Sequence, residues 1–141
     1  MYIDSNDEEM IGIEFNKIIN KIIRKFKELN FNIIIKKPTR ENLSPSLSSK
    51  RDFKYISDPT PIELYDLKKI QFVFGFMTTA LSKVSSINSN IKIFSIVNLL
   101  SKNKRKEFSK LTYNFHKNLK NKKGKIFYPY NINEILKMVK K

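Results

Sequence analysis

The chain has 141 residues and a formal net charge of +15, and it contains one histidine and no cysteine. This length suits one domain with a modest core. The absence of cysteine excludes disulfides, thiolate zinc sites and cysteine nucleophiles, and the lone His116 excludes a centre built on two histidines of this chain. We expect a reducing, cytoplasmic location, no metal and no cofactor.

The positive charge comes from 24 lysines and only four arginines. Basic proteins of this size often contact phosphate groups. Arginine is the better bidentate partner of base edges, so its scarcity argues against sequence-specific recognition. Isoleucine, lysine and asparagine fill 59 positions. Because their codons are A/T-rich, we attribute part of the bias to an AT-rich genome, such as that of a plasmid or virus.

The first predicted element is a long amphipathic helix. Residues 1–10 carry four acids and no base, and Ser5 and Glu8 have the spacing of a capping box. Apolar residues then recur every three or four positions over residues 11–29, with lysines on the opposite face. A short β-branched run at residues 31–37 predicts a strand. No apolar leader opens the chain, and we expect no contact with a membrane.

A linker and a second helix are predicted next. Residues 38–58 contain two prolines and five serines and are predicted to be a flexible linker. Thr60 and Glu63 then form a second capping box around Pro61, and apolar residues repeat at helical spacing as far as Val84. The apolar run at residues 70–81 is too short to span a bilayer, which needs roughly 20 residues. It is apolar on most sides, which indicates burial in the core of this chain or against a partner protein. Because a chain this small can hardly cover such a helix alone, we expect a partner.

The last third of the chain predicts a helix, a β-hairpin and a closing helix. The third helix begins near Asn88 and ends in the basic cluster "SKNKRKEF", which is either a solvated helix end or a phosphate contact. Alternating apolar residues in "KLTYNFHKNL" and the run "IFYPY" predict two strands joined by a turn at Gly124. Asn131 and Glu134 predict the N-terminus of the closing helix.

These elements predict an α+β fold class: a mainly helical small domain with a C-terminal β-hairpin and a short closing helix. We divide the chain into an N-terminal segment (residues 1–37), the linker (38–58) and a helical and hairpin core (59–141). A glycine-rich phosphate loop, a metal-ligand cluster and a catalytic triad are not evident in the sequence. We therefore expect a noncatalytic protein.

The order of motifs in the core resembles the omega-like small subunit of multisubunit DNA-dependent RNA polymerase, the sixth-subunit type of eukaryotes. The matching residues lie in "TPIELYD", "KLTYNFHKNL" and "GKIFYPYNINEIL": Thr60, Pro61, Tyr65, Asp66, Lys110, Leu111, Phe115, Lys117, Leu119, Gly124, Phe127, Tyr130, Glu134 and Leu136. The sequence departs from the family at Asp66, where the family has glutamate, and at Phe74-Gly75, where it has Arg-Ala.

The resemblance implies a noncatalytic subunit that docks on the largest polymerase subunit and stabilises it. Such a subunit is not a self-sufficient monomer. The docking residues that the resemblance and the apolar helix imply are Thr60, Tyr65, Asp66, Ile70, Phe74, Met77, Leu111, Phe115, Leu119 and Tyr130. The alternative is a small basic nucleic-acid-binding protein, such as a ribosomal or replication accessory protein. Its contacts would be Lys102, Lys104, Arg105, Lys106, Lys120, Lys122, Lys123 and Lys125.

Overall fold

Six short apolar runs form the strands of one parallel β-sheet. The computed structural model describes residues 1–4, 7–37, 43–48, 53–56, 60–76, 79–107 and 126–140. In these ranges the strands are β1 (Tyr2–Ile3), β2 (Ile34–Lys36), β3 (Lys54–Ile56), β4 (Phe72–Gly75), β5 (Lys92–Ser95) and β6 (Ile126–Phe127). The helices are α1 (Asp7–Ile11), α2 (Ile13–Glu28), α3 (Pro45–Ser48), α4 (Thr79–Ile87), α5 (Lys102–Glu107) and α6 (Ile132–Val139). Two 3-10 turns span Ile62–Leu64 and Val97–Leu99.

The strand order is β3-β2-β1-β4-β5-β6, and every neighbouring pair is parallel. Tyr2 of β1 pairs with Ile35 on one side and with Phe74 on the other. From β1 the chain adds β2 and then β3 on one side. It then crosses to the other side of β1 and adds β4, β5 and β6. Strands from residues 1–37, 38–58 and 59–141 all lie in this one sheet.

Alternate residues of β1, β4, β5 and β6 belong to two apolar clusters on opposite faces of the sheet. One cluster contains Phe74 and Phe94 and is covered by α2, α3 and α6. The other contains Val73 and Ile93 and is covered by α4 and the residues around Ile62. Helices on both faces are what a sheet wound in two directions with right-handed connections requires.

The predicted α+β fold class is wrong, because the structure is an α/β fold with a parallel sheet of six strands. The predicted second helix is instead a 3-10 turn, then β4, then α4. The predicted third helix is β5, a second 3-10 turn and α5. Both errors have the same physical cause: strands of a parallel sheet are buried on two faces, so they have continuous apolar runs that also fit a helical period.

The predicted β-hairpin is also wrong for its described half. Its second strand is β6, which pairs in parallel with β5, at Ile93↔Ile126 and Phe94↔Phe127. A hairpin would need an antiparallel neighbour. The predicted first strand and its turn, residues 110–125, lie outside the described residues.

Three other predicted elements are confirmed. α2 buries Phe15, Ile19, Ile22 and Phe26, as its stripe predicts. β2 forms within residues 31–37. The N-cap of α6 is Asn131, whose Oδ1 accepts a hydrogen bond from the backbone N–H of Glu134 at 3.0 Å. The first helix is nevertheless broken into α1 and α2 at Gly12, which has a φ of 73°. That conformation is readily available only to glycine.

Candidate nucleic-acid interface

The carboxyl edge of the sheet is where doubly wound folds usually bind their ligands, at the point where strand order reverses. In this protein the reversal lies between β1 and β4. The connection after β1 carries Asp4 and Glu8 rather than glycines. Negative side chains here disfavour a bound phosphate, so the fold's usual anion site has the wrong charge.

Both carboxylates accept hydrogen bonds from residues at the start of α3. Asp4, which is buried, accepts the backbone N–H of Ser44 at 2.7 Å and its hydroxyl at 2.9 Å. Glu8 accepts the backbone N–H of Ser46 at 2.7 Å and also the Ser46 hydroxyl. These carboxylates cap the start of α3. The two carboxylates at this part of the edge therefore have a structural role, and they are not candidates for catalysis or ligand binding.

A second polar contact joins α2 to the segment that leads into α5. Glu14, in the first turn of α2, accepts the backbone N–H of Ser101 at 2.8 Å and its hydroxyl at 2.6 Å. The two residues are 87 positions apart in sequence. The contact places the beginnings of two lysine-rich helices side by side.

The electrostatics of Glu14 show how close the two helices come. The Ser101 hydroxyl, followed by the Ser101 N–H, lowers the pKa of the Glu14 carboxyl below its ordinary value. The positive charges of Lys104 on α5 and Lys17 on α2 lower it further. Burial of the carboxyl opposes this lowering in part. The two ammonium groups show that cations of both helices lie near one carboxylate.

We define the α2–α5 basic surface by seven residues. They are Lys17, Lys21 and Arg24 of α2 and Lys102, Lys104, Arg105 and Lys106 of α5. The three α2 residues follow the spacing i, i+4, i+7, which places them opposite the buried stripe. Three acids of the same helices, Glu14, Glu28 and Glu107, lie near these seven bases, so the surface keeps a net charge of +4.

Two of these cations are not paired with an acid. Within the described ranges, the side chains of Lys21 and Lys102 make no hydrogen bond or ion pair, whereas Lys17 acts on the Glu14 carboxylate. Lys17, Lys21 and Lys102 are exposed. In contrast, Arg24 lies 3.7 Å from Glu28, and Lys104 lies 2.8 Å from Glu107. Exposed pairs of this kind are weak and give way to a stronger anion.

The sequence predicted the α5 half of this surface through Lys102, Lys104, Arg105 and Lys106. It did not predict the α2 half as a contact, although the lysines opposite the apolar stripe were the available signal. The remaining predicted phosphate contacts, Lys120, Lys122, Lys123 and Lys125, lie outside the described residues.

The predicted docking residues do not form one surface in the described part of the chain. Phe74 is buried under α2, and Ile70 is half-buried at the approach to β4. Tyr130 is 66% exposed before α6, on a different part of the fold. The other described members are Thr60 and Tyr65, half-buried, and Asp66, exposed. Met77, Leu111, Phe115 and Leu119 lie outside the described residues, and docking stays a prediction.

The described residues contain no group of three or more histidine, cysteine, aspartate or glutamate side chains that could hold a metal ion. Of the helices in the same ranges, none is long and apolar enough to cross a membrane.

Comparison with models of known protein families, with curated proteins and with solved structures finds no match for this chain. A functional assignment therefore rests on the site alone, since one fold class serves many functions.

Proposed function

We propose that the protein is a noncatalytic nucleic-acid-binding domain that contacts the phosphate backbone through the α2–α5 basic surface. The observation that carries the proposal is the pair of hydrogen bonds between Glu14 and Ser101. They unite two sets of lysines that are far apart in sequence. Phosphate contacts of this kind give most of the affinity in sequence-independent binding.

Charge composition supports backbone contact rather than base reading. Of the seven defined residues, only Arg24 and Arg105 are arginines. Lysine is a flexible point charge that suits phosphate, whereas bidentate base contacts favour arginine. We therefore expect little discrimination between sequences and a strong dependence on salt.

The polymerase role stays a prediction. The resemblance depends on a helix opened by Thr-Pro and on a hairpin, and the described residues place a 3-10 turn and a parallel strand at those positions. That fold gives the docking role no observation comparable with the α2–α5 basic surface.

The test measures binding of fluorescein-labelled 20-nucleotide DNA, as a single strand and as a duplex, by fluorescence anisotropy over a range of salt concentrations. We expect log K to fall linearly with log salt concentration. Each lost phosphate contact should reduce the duplex slope by about 0.9. The variant Lys17→Glu/Lys102→Glu should therefore have a weaker affinity and a slope smaller by about 2.

The matched control is Lys54→Glu/Lys68→Glu. It changes the net charge by the same amount at two exposed lysines of β3 and the turn before β4. We expect its affinity to stay close to that of the wild type. Equal losses in the two double variants would show that only net charge matters, and this outcome, like the absence of salt-dependent binding, would overturn the proposal.

A further inference from the structure

A cavity of about 500 Å³ lies between α2 and the sheet, at the amino end of β1, β2 and β4. It is on the opposite edge of the sheet from the β1–α1 connection, and none of the seven residues of the α2–α5 basic surface lines it. Its volume falls within the range of about 300–1,000 Å³ that is typical of small-ligand sites. The cavity is therefore a candidate for a second and separate activity.

The inner walls are aliphatic and aromatic. Phe26 of α2 packs against Phe31, Phe72 and Phe74, with ring centroids 5.5, 6.2 and 4.9 Å away. The edge-on arrangement of Phe26 on Phe72 and on Phe74 fixes the rings against one another. Isoleucines of α2 and β2 complete the walls. Such a lining favours an apolar body over a sugar or a nucleotide.

The mouth is polar and carries a positive charge. The exposed polar residues that line the cavity are Asn30 and Asn32, from the segment before β2, and Lys69 and Gln71, from the segment before β4. No aspartate or glutamate is among the described residues that line the cavity. In the described part of the chain the Lys69 ammonium group makes no hydrogen bond or ion pair. It is free to meet an anion.

The cavity is partly open to solvent, and its lining is more apolar than polar. A concave apolar space of this size is typical of small-ligand sites. Water needs two to four polar partners to occupy a cavity well, and the inner walls offer almost none. Water in the cavity therefore finds few hydrogen-bond partners, and its replacement by an apolar ligand is favourable.

We infer that the cavity binds a carboxylic acid with an aliphatic chain. The chain lies among the phenylalanine and isoleucine side chains, and the carboxylate lies at the mouth beside Lys69 and the amides of Asn30 and Asn32. Burial of the chain supplies most of the affinity. The ammonium group adds a charge-assisted contact that selects an acid over a neutral analogue.

The test uses decanoate as the probe, below its micelle concentration, with isothermal titration calorimetry and ¹⁵N chemical shifts of the full chain. We expect saturable one-site binding, with the largest shifts at Phe31 and Phe72. Decanamide, which has the same chain without the charge, should bind more weakly. The presence of decanoate should leave the DNA affinity unchanged, since the two sites are separate.

Variants at the mouth test the role of charge. Lys69→Glu should weaken decanoate binding about five- to tenfold and leave decanamide binding unchanged. Lys68→Glu is the matched control, because Lys68 is an exposed neighbour that does not line the cavity. Its affinity for decanoate should stay close to that of the wild type.

A variant of the wall tests the location. Ile23→Trp should fill the cavity from its half-buried position on α2 and weaken the binding of both probes. The ¹⁵N spectrum reports whether this variant folds. If it does not fold, the binding of decanoate by Lys69→Glu still tests the inference. The inference is overturned by a lack of saturable binding, by equal losses in Lys68→Glu and Lys69→Glu, or by wild-type affinity in a folded Ile23→Trp variant.

Discussion

The carboxylate of Asp4 binds both hydrogen-bonding groups of Ser44, a residue 40 positions away. Asp4 is 1% exposed and Ser44 is fully buried. Asp4 directly follows β1 and Ser44 directly precedes α3, so the contact joins the connections that follow β1 and β2. A buried carboxylate is stable only when such partners satisfy it. The contact therefore has a structural role that mutation can measure.

Asp4→Ala should lower the free energy of unfolding by about 2–4 kcal/mol, because it leaves the N–H and hydroxyl of Ser44 without their buried acceptor. Urea denaturation followed by circular dichroism measures the change. The control is Glu107→Ala, which removes an exposed ion pair with Lys104 and should cost less than about 1 kcal/mol. Equal effects of the two variants would contradict the structural role of Asp4.

The contact between Glu14 and Ser101 predicts a dependence on pH. Its hydrogen bonds lower the pKa of the folded Glu14 carboxyl, so the contribution to stability is present above the ordinary pKa and is lost as pH falls through the folded pKa. Ser101→Ala should raise the pKa of Glu14 towards its ordinary value. Carboxyl ¹³C NMR titration measures the pKa of Glu14 in the wild type and in the variant. The pKa of Glu63, which is lowered mainly by Lys83, should not change.

A result in which Ser101→Ala leaves the pKa of Glu14 unchanged would show that α5 is not held against α2 in this way. It would also remove the observation on which the α2–α5 basic surface depends. The titration thus tests the proposed interface without any nucleic acid.

Tyr128 predicts a loss of stability in alkali. Burial raises the pKa of its phenol to about 12, from an ordinary value of 10. Below pH 10 both the folded and the unfolded states keep the proton, and stability does not depend on this group. Between pH 10 and 12 only the unfolded state loses the proton, so the free energy of unfolding should fall. Tyr128→Phe should flatten that part of the curve, and absorbance at 295 nm should show the loss of its late-titrating phenol.

The helices that sequence predicted well are those with a local signal. α2 has four turns of periodic apolar residues, and α6 has a cap in Asn131. β4 and β5 have only four residues each, and the adjacent residues Val73 and Phe74 of β4 face different clusters. A helical period and a doubly buried strand cannot be distinguished over so few residues.

The pairing of strands could not be predicted, because it depends on distant contacts. β1 is two residues long, and its neighbours β2 and β4 lie more than 30 and nearly 70 positions away. Only the α5 half of the candidate interface could be predicted, because the link to α2 is also a distant contact. Its α5 lysines form a visible cluster, but their union with α2 depends on Glu14 and Ser101, a contact with no local signature.

The stacking of Phe74 on Phe94 gives a last prediction, which tests the parallel sheet directly. Their rings lie 5.0 Å apart at 11°, on one face, while Val73 lies on the other. In a double-mutant cycle Phe74→Leu and Phe94→Leu should couple by about 0.5–1.5 kcal/mol, because the two rings contact each other. Val73→Ala and Phe94→Leu should couple by about 0.3 kcal/mol or less, because the sheet separates them. Urea denaturation of the wild type, the three single variants and the two double variants measures both energies. Equal coupling in the two cycles would be incompatible with β4 as a strand beside β5.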